Sequence, residues 1–167
     1  MKVELYTASV GVFVRGLDGL SAILRKGEAY AAANRLKESD ILHARLFSDM
    51  FPLYRQVEIV CDFAGQVPAR LSGLEVPPDL AGNTDFARLH TRISEKKQFL
   101  NGLSPSQFEG RDELSIDFPV GEESMTLPAS QYLLNFAIQN YFFHFVTAYA
   151  ILRTLGVELG KRDYFGV

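Results

Sequence analysis

The chain has 167 residues, 47% hydrophobic and 22% charged; that is the length and make-up of a single globular domain, 1–167, and it excludes a disordered polymer. A formal charge of −3, with no run of Lys or Arg longer than two, excludes the basic footprint of a nucleic-acid binder. The lone cysteine, Cys61, excludes an internal disulfide framework and a cysteine-based zinc site, and it fits a reducing, cytoplasmic setting.

The first twenty residues hold Glu4 and no continuous apolar core, so they do not read as a signal peptide. Tyr6, Val10, Phe13, Leu17, Leu20 and Leu24 recur at alternating spacings of three and four. This predicts one apolar stripe on a helix of about six turns. Gly27 is placed to end or bend it, and "EAYAAANRLKES" either extends it or starts a short second piece.

Leu53, Val57, Val60, Ala64, Val67 and Leu71 form a second stripe of the same kind. Ser48 and Asp49 are N-cap residue types, Pro52 suits an early helical position, and Pro68 is expected to kink or end the last turn. Arg45 is expected to pair with Asp49. "GLEVPPDLAGNT" then reads as a linker. Thr84 is the expected cap of a third helix, with Phe86, Leu89, Ile93 and Leu100 inward, Glu95, Lys96 and Lys97 outward, and Gly102 at its end. Ser104-Pro105 opens one further short turn.

The period then changes. Leu114, Ile116 and Phe118 alternate with polar residues, and Met125 and Leu127 resume the pattern after Gly121, which predicts a small β-hairpin. Pro128 and Ser130 open the last long helix, expected to run to Leu155 and stop at Gly156. The elements make an all-α four-helix bundle with one hairpin before its last helix.

No Asp, Glu, Lys or Arg occurs from Ser124 to Leu152. The stretch is long enough to span a membrane. It carries Asn135, Gln139, Asn140, His144 and Thr147, however, and such groups are costly in lipid. It is read as a buried helix. At about 100° per residue, Asn140 and His144 share a face with Leu133, Phe136, Ala137, Thr147, Ala148 and Ile151. Gln131, Asn135, Gln139 and Arg153 take the opposite side. A buried amide and imidazole need partners, and Asp49 and Gln56, seven residues apart beside the second stripe, are the candidates on the facing helix. Phe142, Val146 and Tyr149 interrupt the solvated side with an apolar run. Either "EAYAAANRL" or the C-terminal "GKRDYFGV" covers it, or a second copy packs on it as a homodimer.

"HFVTAYAILRTLG", with "ARLFSDMFPL", "QFEG" and "GKRDYFG", resembles the DinB/YfiT-like superfamily, in an uncharacterised branch. The resemblance implies an up-down-down-up bundle. It also implies a metal site with two ligands on the last helix, at the positions of Asn140 and His144, and a third on the second helix, at Gln56. Three histidines are usual there, so Gln56, Asn140 and His144 make a degenerate set, with a divalent metal (zinc or nickel) weakly bound or absent. His43 and His90 have no ligand spacing to His144. The resemblance implies metal-assisted small-molecule or thiol transfer. The alternative is a non-enzymatic protein that binds a small ligand, or serves a stress-linked interaction, around a vestigial site.

Overall fold

The computed structural model describes residues 4–78, 81–82 and 85–167. It is mostly helical, with a two-stranded hairpin before the last long helix. The first helix opens with a π-helical turn, Thr7–Gly11, and continues as α1, Val12–Ala33. It runs straight through Gly27. That glycine neither ends nor bends the helix; it makes room. A Cβ there would come within 2.7 Å of a methyl of Leu152, so the residue lets two helices approach closely.

A short helix, α2 (Glu38–Leu42), follows, and the Glu38 carboxylate accepts the backbone N–H of Phe86 at 3.1 Å. Then comes α3, Leu53–Ser72, with the whole predicted stripe buried. Two expectations fail at its ends. Ser48 and Asp49 lie in the preceding turn and do not cap it. The helix begins four residues beyond Asp49, after Pro52, and the Leu53 N–H is taken by the Ala44 carbonyl at 2.9 Å. Arg45 donates to the carbonyls of Ser48 and Met50 and not to Asp49. At the other end Pro68 does not stop the helix, which continues to a left-handed Gly73.

The next helix, α4, covers Phe86–Asn101. Thr84, the expected cap, lies outside the described residues, as does part of the linker. Asp85 is the cap, accepting the Arg88 N–H at 2.8 Å. Phe86, Leu89, Ile93 and Leu100 are buried as the pattern requires. Lys96 and Lys97 are only half-exposed, because Lys97 is paired with Asp18 and Lys96 lies over Gly65.

The hairpin pairs β1 (Ser115–Val120) with β2 (Glu123–Pro128), setting Ile116 opposite Leu127 and Phe118 opposite Met125. Ile116 and Phe118 are buried, whereas Leu114 and Met125 are exposed. The Phe118 ring lies 4.6 Å from those of both Tyr132 and Phe136, so the hairpin is pinned to the helix that follows. That helix is α5 (Ala129–Tyr132), a second π-helical stretch (Leu133–Ala137) and α6 (Ile138–Thr154), closed by a left-handed Gly156. The tail forms α7, Lys161–Phe165.

Cross-contacts give the directions. Asp62 meets Arg92, and Gly65 faces Lys96, so α3 and α4 run parallel. Gln56 meets His144, and Phe63 lies near Phe136, so α3 and the helix ending in α6 are antiparallel. Phe13 packs on Tyr141 and Gly27 on Leu152, so α1 is parallel to α6. Asp18 with Lys97 and Glu28 with His90 make α1 antiparallel to α4. Among the described residues, Thr7–Ala33 is the one helix long and apolar enough to cross a membrane. In its most apolar window 56% is buried by neighbouring elements, the placement of a core helix.

Candidate functional site

The π-helical stretch Leu133–Ala137 decides which side chains of the last helix look inward. Its i→i+5 bonding adds a residue to one turn. A constant 100° step therefore drifts off the real face. The most buried row runs Leu133, Ala137, Tyr141, Phe145, Ala148, Leu152. Asn140 and His144 stand one position to the side of it, half-buried at the seam with α3.

At that seam, His144 Nδ1 lies 2.6 Å from Gln56 Oε1. The Gln56 side chain is almost fully buried, and its Nε2 donates to the Phe51 carbonyl at 3.0 Å. This second bond fixes the amide: nitrogen towards Phe51, oxygen towards the imidazole. An amide oxygen only accepts, so Nδ1 carries the proton and Nε2 keeps its lone pair. Nε2 has no hydrogen-bond partner among the described residues. Burial, and then the charge of nearby Arg55, lower the His144 pKa from 6.5 to about 4. The ring is neutral at physiological pH.

The other expected site residues are not brought to this bond. Asn140 turns its amide nitrogen back to the Phe136 carbonyl of its own helix, at 2.9 Å. Asp49 is exposed in the turn before α3. His43 is exposed with its ring 5.3 Å from Tyr54, and His90 Nε2 lies 3.0 Å from Glu28 Oε2 on the far side of the molecule. Cys61 is fully buried, and desolvation pushes its thiol up to about 12, so it is inert as a nucleophile.

Beside Gln56 runs a charged seam absent from the sequence reading. Glu58 is wholly buried, with Asp62 and Arg92 nearly so. Arg55 bonds Glu58 at 3.1 Å and approaches Asp62 at 3.8 Å, while Arg92 binds Asp62 directly. A signal existed: Tyr54, Glu58, Cys61 and Gly65 form a second face at helical spacing, and Arg92 sits between Leu89 and Ile93. Both faces of α3 are buried because it lies between α4 and α6.

The donor set does not suit a metal ion. Gln56 Oε1 and His144 Nδ1 are spent on each other, and Asn140 turns its amide nitrogen to its own backbone, which leaves one imidazole nitrogen and one neutral amide oxygen, a poor set for zinc or nickel. Among the described residues no group of three or more His, Cys, Asp or Glu could hold a metal.

A mostly helical chain with a hairpin before its last long helix has the outline of the DinB-like fold. Its structure is similar to the crystal structure, at 1.83 Å resolution, of a DinB family member protein from Shewanella denitrificans. The two share 38% identity over 98% of this chain and 92% of that one, with a TM-score of 0.89. Residues 5–165 match the domain of unknown function DUF1993, and the chain belongs to that family. No curated protein matches it.

Proposed function

We propose that the chain is a non-enzymatic binding protein built as an up-down-down-up four-helix bundle. In this reading His144 receives a hydrogen-bond donor of a small molecule (a hydroxyl, amide or amine) where metal-bound relatives hold an ion. The helix directions given above support the topology. The observation that carries the function is the relay from the Phe51 carbonyl through Gln56 to His144 Nδ1, which leaves a neutral imidazole with Nε2 as an acceptor. Such a ring is a weak general base, since catalysis favours a pKa near the working pH. Amide oxygens are poor ligands for zinc or nickel.

The test is calorimetric titration of tag-free protein with zinc and nickel, alongside nitrogen-detected NMR of the ring. The reading expects no stoichiometric uptake and an Nδ1-protonated tautomer. Tight uptake of one ion, lost in His144→Ala, would overturn this reading and support the metal-assisted one.

A homodimer accompanies this proposal, on Val146 of the run that the sequence points to and on Phe143 in place of Phe142 and Tyr149. Of the Phe142–Val146–Tyr149 run the tail meets Tyr149, edge-on to the Tyr164 ring at 6.1 Å, and Tyr164 also stacks on the neighbouring Phe145 at 4.5 Å. Phe143 and Val146 stay exposed, at 58% and 49%, and a second copy would cover them. Light scattering decides, with Phe143→Glu plus Val146→Glu expected to yield a monomer. A mass independent of concentration in the wild type removes the dimer.

A further inference from the structure

On the side of α6 away from His144, a cleft of about 500 Å³ opens between the first helix, α6 and α7. Its volume is within the range of small-molecule sites. Rings of Phe142, Phe145, Tyr164 and Phe165 supply its apolar wall. The opposite wall is the π-helical turn, which brings Gly11 to the cleft, and Arg15 follows one turn on. Single π turns recur at functional sites because they displace the chain from the regular helical path.

The charge is one-sided. Among the described residues no acidic one lines the cleft. Arg15 is exposed and has no ion pair or hydrogen bond among the described residues. Asp18, which shares a neighbouring depression with Arg15, is held by Lys97. Glu4 accepts the Thr7 hydroxyl at 2.7 Å. An aromatic wall with one unengaged guanidinium at its edge complements an apolar body ending in a single negative charge.

We propose that this cleft binds a small carboxylate with a flat apolar body, the body against Phe142, Phe145 and Tyr164 and the carboxylate on Arg15. The site is separate from the Gln56–His144 pair and stands whether or not that pair binds anything.

Phenylbutyrate and its neutral amide are the probes, titrated into the full chain by calorimetry and followed by amide NMR. Phenylbutyrate is expected to saturate with a Kd of about 1 mM or tighter, with shifts centred on Gly11, Tyr164 and Phe165. Gly11→Phe tests occupancy. A Cβ at Gly11 meets nothing within 4 Å and its φ of −62° is ordinary helix, so the ring enters open space at the wall; melting is retained and binding of both probes is lost. Arg15→Gln tests the charge: the carboxylate weakens about fivefold while the amide stays within about twofold. No saturation by either probe, shifts centred elsewhere, or equal weakening of carboxylate and amide in Arg15→Gln overturns the proposal. So does a wild-type dimer abolished by Gly11→Phe without probe binding, which would give the cleft to a second copy. Should Gly11→Phe not fold, the Arg15→Gln comparison and the shift map decide alone.

Discussion

Protonating His144 should destabilise this fold. The folded ring titrates near 4 and the ordinary value is 6.5. Above 6.5 both folded and unfolded chains hold a neutral ring, and the contribution is complete. Between 6.5 and about 4 the unfolded chain binds the proton and the folded chain does not, so stability falls as pH falls. At about 1.4 kcal/mol per tenfold change in proton affinity, the upper bound is about 3 kcal/mol. The ring is only half-buried, and solvent screening reduces this to about 1–2 kcal/mol. The assay is urea denaturation at pH 7.5 and 4.5, for wild type and His144→Gln. A glutamine does not titrate, so the variant should lose about 1–2 kcal/mol less between the two pH values. Equal losses in both proteins, or an imidazole titrating near 6.5 by NMR, would refute the geometry assigned to Gln56 and His144.

Asp62→Ala leaves Arg92 buried without its carboxylate, and the expected loss is about 3–5 kcal/mol in chemical denaturation. Gly19→Ala drives a methyl into the Tyr164 carbonyl and to 2.9 Å from the Phe145 ring. It should cost about 1–3 kcal/mol and expose α7 to limited proteolysis, whereas undiminished protection would mean that the tail is not docked there. Asn140→Leu removes a side chain bonded only to its own helix; its melting should lie within about 1 kcal/mol of wild type, and a larger loss would reveal a network through Asn140.

The helices were legible because their apolar positions keep step with one period: all six residues of the α3 stripe are fully buried. The hairpin was legible from the switch to alternation around Gly121, which turns the chain at φ +62°. The errors fall where a local rule met a tertiary demand. Gly27 has the residue type of a helix stop, yet Leu152 needs the space. Pro68 lacks a donor, but it sits in the last turn and a half of a helix held on both sides by α4 and α6. Ser48 and Asp49 are cap residues by type, and the chain makes another turn before the helix starts.

The polar seam shows what periodicity misses. Gln56 and His144 lie 88 positions apart, and only the register of α3 against α6 makes them neighbours. On an ideal wheel Asn140 shares the face of His144, four residues on. The π-helical stretch upstream turned the most buried row towards Tyr141 and Phe145. Tyr141 donates to the Phe13 carbonyl of the first helix, at 3.1 Å. Asn140 then took the nearest acceptor, the carbonyl one turn back. A polar residue at a seam has this way out, while one in the centre does not. The nearly buried Asp62 and Arg92 answer one another across α3 and α4, and the wholly buried Glu58 is met by Arg55 of its own helix, whereas His144, at the edge, has one ring nitrogen with no protein partner among the described residues.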